Sequence, residues 1–213
     1  SNLALILNGK VNLKNNIDSI GMVAHIDNIN FKKLHLGNYD IRLRTKLNIK
    51  TKGLTLDKMV GNASFNDLMV EYEGKQVNVN SLDFLSSKIN KYRSFEINSD
   101  LLKLITIGNF EFSQIYDDLF MFWNEYKLYF KHNEKETNKY YLAKRNNKHN
   151  FYKVNYDVTF KNINPIFDLF LPGFFVSKNT NLKGYLSNGE HSSSEVLGEI
   201  DKLAYKQYAI NKA

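Results

Sequence analysis

Tyr39 to Thr51 reads Tyr-Asp-Ile-Arg-Leu-Arg-Thr-Lys-Leu-Asn-Ile-Lys-Thr, thirteen residues of unbroken alternation. Tyr39, Ile41, Leu43, Thr45, Leu47, Ile49 and Thr51 fall on one side; Asp40, Arg42, Arg44, Lys46, Asn48 and Lys50 fall on the other. Successive side chains of a strand point to opposite faces, so this period predicts one buried and one wet face. At about 3.3 Å per residue the run spans roughly 43 Å, well beyond the usual strand of about 5–6 residues. Such a strand lines or covers something extended.

The same period recurs outward from it. Leu3, Leu5 and Leu7 open the chain in alternation, and Ile20, Met22, Ala24 and Ile26 form another series. Met69 to Tyr72 and Val77 to Phe84 flank Glu73-Gly74-Lys75, a hairpin turn. Lys52-Gly53 closes the long strand, after which Leu54 and Leu56 restart the pattern. Phe95 and Ile97 lead into Leu101 to Phe112, and Tyr152, Val154, Tyr156, Val158 and Phe160 repeat the one-sided arrangement. One-sided strands pair antiparallel into a sheet with an apolar and a polar side. The chain ends in another strand-like piece, Leu203 to Ile210. Regular structure so near both ends reads as a single β-rich segment, 1–213, of a longer protein.

Two stretches break the period. Over 113–131, Ile115, Leu119, Phe122, Trp123, Tyr126 and Phe130 follow helical spacing, with Ser113 as N-cap. Asp117 and Asp118 near the start, and Lys127 and Lys131 near the end, suit the helix dipole. Over 164–171, Asn164 can cap and Pro165 suits the first helical position, before Pro172-Gly173 stops the run. One-sided apolar helices face a core, so both are expected to cap or plug the sheet.

Charge and composition narrow the function classes. The net charge is +7, and much of it lies in 131–153, where seven cationic side chains face only Glu134 and Glu136. Asn-Glu-Lys-Glu-Thr-Asn-Lys and Arg-Asn-Asn-Lys-His-Asn in this stretch predict a solvated basic loop or hairpin. An anionic membrane surface is its functional alternative. No nucleic-acid module accompanies it. The absence of cysteine excludes a disulfide framework, a thiol nucleophile and cysteine-ligated metal.

Catalytic patterns are missing. His25, His35, His132, His149 and His191 share no metal-ligand spacing. Asp117-Asp118 diverge by about 100° on a helix and read as a solvated first turn. Ser192-Ser193-Ser194 follows turn composition, and Trp123 with Tyr126 reads as core before it reads as a sugar platform. The expectation is a non-enzymatic binding, conduit or scaffold protein with no catalytic residue, metal or cofactor.

Three stretches go further. Gly53-Leu-Thr-Leu-Asp-Lys-Met-Val-Gly-Asn-Ala-Ser-Phe is followed by Val77-Asn-Val-Asn-Ser-Leu-Asp-Phe. Arg93-Ser-Phe-Glu-Ile-Asn-Ser-Asp is followed by Ile107-Gly-Asn-Phe-Glu-Phe and the helix. Asp157-Val-Thr-Phe-Lys-Asn-Ile-Asn-Pro-Ile-Phe-Asp-Leu-Phe-Leu-Pro-Gly is followed by Val176-Ser-Lys-Asn-Thr-Asn-Leu-Lys-Gly. In this order, over about 50–186, they resemble the AsmA-like family that includes the TamB translocation and assembly modules, in its Bacteroidota-type members. The resemblance implies a mostly β fold: a long antiparallel curled sheet forming an open trough, with one amphipathic and one short helix. It implies a periplasmic segment, anchored at the inner membrane in the full-length protein, that supports phospholipid transport between membranes and outer-membrane biogenesis. Its partners would be phospholipid acyl chains and, through parts of the protein outside this chain, an Omp85-type outer-membrane barrel; nucleic acid is not among them. Alternation and resemblance together place Tyr39, Ile41, Leu43, Leu47, Ile49, Val77, Val79, Phe95, Ile97, Val154, Tyr156 and Val158 on the lipid-covering face. The rival reading is a closed β-sandwich binding or adhesion module of the cell envelope, whose apolar face is core.

Overall fold

The alternation of Tyr39–Thr51 becomes strand β3 (Ile41–Lys52), the third of ten in one sheet. The computed structural model describes residues 3–13, 18–35, 38–53, 55–131, 134–146, 151–189 and 192–212. β1 (Leu3–Asn12), β2 (Ser19–Asn30), β3, β4 (Val60–Tyr72), β5 (Lys75–Ile89), β6 (Tyr92–Ser99) and β7 (Leu102–Gly108) follow one another as an antiparallel meander. α1 (Phe112–Lys131) and α2 (Glu134–Asn146) then leave the sheet before β8 (Tyr152–Phe160) returns beside β7. α3 (Asn164–Phe170) and β9 (Phe174–Val176) leave it again before β10 (Thr180–Asn188) and β11 (Ser193–Glu199) complete the order. β12 (Lys202–Tyr205) and β13 (Tyr208–Asn211) join β9 in a separate three-stranded sheet. The large sheet is not closed into a barrel.

Register turns ten alternating sequences into one two-sided surface. Residues directly opposite in an antiparallel pair share a face. Gly9, Met22, Ile49, Ala63, Phe84, Ile97, Leu104, Val158, Leu182 and Gly198 form one row of opposed partners across all ten strands. The parallel row Val11, Ile20, Thr51, Gly61, Ser86, Phe95, Thr106, Tyr156, Gly184 and Val196 is also free of charge. One residue over, on the opposite face, runs Asn8, Val23, Asn48, Ser64, Asp83, Asn98, Lys103, Thr159, Asn181 and Glu199, polar at nine of its ten positions.

Cover over the apolar face is uneven. α3 and the small sheet pack Ile163, Leu169, Val176 and Leu203 against Leu68, Val77, Val79 and Leu101. The start of α1 brings Phe112 and Ile115 against Phe110, Tyr152 and Val154. A third cluster, around Ala24, Ile26 and Leu47, is built from β2, β3 and β4. Between these covers, the first row is half-buried from Met22 through Leu182.

Three local expectations change. The basic loop or hairpin over 131–153 contains α2: Glu134 and Glu136 in its first turn suit a helix dipole, a signal that the asparagines obscure. Leu56 belongs to a turn, with Lys58 and Met59 amides donating to the Thr55 carbonyl, and not to a resumed strand; Leu54 lies outside the described residues. Asn164 does not cap α3, whose N-cap is Ile163. Its amide group instead pairs with both backbone groups of Val176, donating at 2.9 Å and accepting at 3.0 Å, and so ties α3 to β9. The turn at Glu73-Gly74 is as read: both residues have positive φ, 49° and 79°, which a two-residue hairpin loop with right-handed strand twist requires.

Gly61 has φ +144°, and an added Cβ would run into the Lys50 carbonyl of β3. Gly61→Ala is expected to destabilise the fold by about 1–3 kcal/mol. Urea unfolding of wild type and variant measures this.

Candidate functional site: an apolar pocket on the sheet

A pocket of about 450 Å³ lies on the apolar face over β3 to β6. Its floor is Ile49 and Thr51 of β3, Gly61, Ala63 and Phe65 of β4, Phe84 and Ser86 of β5, and Phe95 of β6. One wall is the 55–59 turn, through Leu56 and Met59; the other is Phe112 at the start of α1. The volume suits a small-molecule site, and its lining is almost entirely apolar. Four phenyl rings run along it: Phe65 to Phe84 at 5.8 Å, Phe84 to Phe95 at 6.2 Å and Phe95 to Phe112 at 5.0 Å between centroids. These spacings are those of favourable ring pairs.

Arg93 fixes both walls to the floor. It sits in phase with Phe95 and Ile97, so β6 points a guanidinium into the apolar side, where it is fully buried. Nη1 donates to the Met59 carbonyl and to Ser86 Oγ, each at 3.1 Å, while Nη2 donates to the Asp57 carbonyl and lies 3.5 Å from Glu111 Oε2. Its guanidinium carbon stands 5.1 Å from the Phe112 ring centre, within cation–π range. Glu111 also accepts from Lys88 Nζ at 2.5 Å. A buried charge is tolerated only when paired and hydrogen-bonded, and here that need draws the turn, β5, β6 and the α1 approach together.

Asp57 makes the second tie. One carboxylate oxygen accepts from the Phe112 and Ser113 amides at 2.6 and 3.2 Å; the other accepts from Ser113 Oγ at 2.6 Å. The cap of α1 therefore comes from a residue 55 positions earlier, and Ser113, read as the cap, is its donor. Desolvation pushes the Asp57 carboxyl upward, but Ser113, the Phe112 amide and the Arg93 charge outweigh it and hold it below the usual carboxylate range.

The structure distributes the twelve expected face residues unevenly. Ile49 and Phe95 line the pocket. Leu47 is buried beside it, and Leu43 packs against both neighbouring clusters. Ile97 and Val158 lie in the half-buried row, and Ile41 is half-buried opposite Tyr72. Val77 and Val79 are covered by the α3 cluster, and Val154 by the α1 cluster. Tyr156 donates its hydroxyl to the Glu195 carbonyl at 3.0 Å. Tyr39 precedes β3, is 63% exposed and meets Tyr72 edge-on at 6.0 Å. Alternation placed Leu56 and Phe112 in strand series and did not mark Asp57 or Met59; all four come from outside the strands. Arg93 was not singled out either, although a cation in phase with Phe95 and Ile97 on an apolar face is a signal that it must find buried partners.

Among the described residues, no group of three or more His, Asp or Glu could hold a metal ion. His25 lies 3.3 Å from Asp27 on an exposed stretch, whereas His132, His149 and His191 are outside the described set, as are the Trp123 and Tyr126 side chains. Ser192 Oγ is 2.8 Å from Lys144 Nζ, but that buried ammonium also donates to Glu125 at 2.7 Å and Asn188 at 2.9 Å. These contacts brace α2 against α1 and the β10–β11 hairpin. Asp118 is buried, at 6% exposure, and not part of a solvated first turn. Burial, followed by the Asp118 carboxylate, pushes the Tyr152 hydroxyl above its ordinary value.

Asp57→Ala removes the cap of α1 and is expected to cost about 0.5–2 kcal/mol. A depressed folded pKa stabilises above the ordinary carboxylate value, near 3.9. That contribution is lost as pH falls through the folded value. Urea titrations at successive pH should therefore show the gap between wild type and variant full at neutrality and closing in acid.

No family model, no curated protein and no solved structure matches this chain.

Proposed function

We propose that this chain is a non-enzymatic lipid-conduit and scaffold segment of the cell envelope, covering phospholipid acyl chains with the apolar face of its ten-stranded sheet. The observation that carries the reading is the pair of uncharged rows that cross every strand, half-buried for most of their length. Transfer through water exposes an acyl chain at about 0.8 kcal/mol per CH₂, and a continuous apolar track lowers that cost along the route. The pocket over β3 to β6 is the place on that track walled on two sides. An open, trough-like curvature of the sheet belongs to the same proposal. Gly61 and Gly184 support it: both stand in the second row, where an added Cβ would collide with the neighbouring strand's backbone, and glycine kinks are a device for bending sheets. The periplasm, transport between inner and outer membranes, anchoring at the inner membrane and work beside an Omp85-type barrel rest on the AsmA-like resemblance. No helix among the described residues is long and apolar enough to cross a membrane.

The closed-module alternative draws on one observation, the sealed cluster beneath α3 and the small sheet. The two readings differ over β3 to β6, where the conduit needs room for a ligand and the module does not.

A photoreactive residue at Phe95 should cross-link phospholipid acyl chains from vesicles. Ala63→Trp fills the pocket, and Leu56→Asp charges its exposed rim. Displacing about two methylenes, about 1.6 kcal/mol, should cut labelling more than about tenfold. Charged substitutions at Leu43 and Leu47 should lower it as well. Labelling that is absent in wild type, or unchanged in variants that retain the wild-type circular dichroism, defeats the conduit reading.

A further inference from the structure

Lys144, Glu125 and Asn188 form a buried polar cluster that plays no part in the pocket. Lys144 lies near the end of α2, Glu125 in α1 and Asn188 at the end of β10. Lys144 is 5% exposed and Asn188 1%, and the Glu125 side chain is 9% exposed. Lysine and glutamate are seldom so buried unless paired, and a buried pair is weak evidence of stabilisation.

The bonding converges on one amide. Lys144 Nζ donates to Glu125 Oε1 at 2.7 Å and to Asn188 Oδ1 at 2.9 Å. The same Asn188 oxygen accepts from the Gly189 amide at 3.0 Å and from Ser192 Oγ at 2.9 Å. Three donors thus meet an atom with two lone pairs. A neutral amide does not need the third donor, whereas an oxyanion formed from it is stabilised by such a set. Asn188 Cγ is only about 1.2 Å from that oxygen, so the amine already stands beside the carbon it would attack.

We propose that this cluster is a self-modification site, which joins Lys144 to Asn188 through a side-chain amide with Glu125 as the proton carrier. A proton passes from Lys144 Nζ to Glu125, and the freed lone pair attacks Asn188 Cγ. The carbonyl opens to a tetrahedral oxyanion, which keeps the Gly189 and Ser192 donors. Glu125 gives its proton to Nδ2 and takes one of the two left on Nζ. The Cγ–Nδ2 bond breaks, the carbonyl reforms, and ammonia leaves with that last proton as ammonium. Glu125 ends as the carboxylate it began as, and no oxidant or other reactant enters. Tyr140 steadies it: the hydroxyl donates to Oε1 at 3.1 Å, and burial, then the Glu125 charge, pushes that hydroxyl up, so it stays a donor.

The product staples α2 to β10 across 44 positions. Such a link restricts the unfolded chain as a disulfide does, in a chain that has no cysteine. The inference does not depend on what the sheet carries.

Intact-mass spectrometry of the purified chain should show one ammonia missing, and a digest should contain a branched peptide joining Lys144 to Asn188. Lys144→Met and Asn188→Ala should restore the full mass. Glu125→Gln keeps the shape of the side chain but cannot carry the proton; with wild-type circular dichroism it should stay unjoined. Ser192→Ala removes one oxyanion donor and should slow joining about 100-fold or more. A wild type that keeps its full mass after prolonged incubation overturns the proposal. An ammonia loss that persists in Lys144→Met does so too, because it reports imide formation at Asn188-Gly189 instead. Joining at the wild-type rate in Glu125→Gln or Ser192→Ala is the third contrary result.

Discussion

Register is the constraint on which this protein rests. A one-residue slip in any ladder would turn a whole strand's apolar set to the wet face. Ten strands held in step give the rows that end at Gly9 and Gly198 and at Val11 and Val196. Where the step changes, the structure ties it down. The β3–β4 register shifts between Arg44 and Lys46, and buried Thr45 donates across the shift to the Asn66 carbonyl at 3.0 Å. Beside it Asp67 takes a positive φ of 53°. β4 and β5 shift phase together there: Leu68 and Val70 oppose Val79 and Val77, and then Phe65 and Ala63 oppose Leu82 and Phe84. Both strands keep their apolar residues on one side because both absorb the change at the same level.

The second organising element is electrostatic. A guanidinium buried among phenyl rings is stabilised only if its donors are met. The Nη1 and Nη2 donors of Arg93 recruit the Asp57 and Met59 carbonyls, Ser86 and Glu111, while buried Nε finds no hydrogen-bond partner among the described residues. Those partners hold the 55–59 turn over the sheet, and Asp57 in turn holds the first turn of α1. The pocket walls thus exist because a charge lies beneath them. Lys144 plays the equivalent part at the other end of the helical pair, joining α2 to Glu125 of α1 and to Asn188.

Much of the architecture was legible because period two is a local property. Series such as Ile20–Ile26 and Tyr152–Phe160 announced strands, and Glu73-Gly74 announced its hairpin. α1 and α3 were visible from spacing and from Pro165. α2 was not, because a polar helix that buries little gives no periodic signal and its asparagines mimic a loop. The face set was legible as a face. Which of its members are sealed, such as Val77 and Val154, and which line a pocket, such as Ile49 and Phe95, was not. That depends on where α1, α3 and the small sheet land, after connections that alternation does not describe.

The sequence by itself determined that this chain forms a two-faced antiparallel sheet, since alternation fixes which side chains share a surface before any strand meets another. Only the tertiary structure decided that ten strands align into continuous rows and that a small second sheet packs on part of the apolar face. It also decided that Asp57 caps a helix 55 residues away and that Arg93 builds a pocket under it. These are long-range pairings, set by the need to satisfy buried charges and backbone groups in three dimensions, and no local period encodes them.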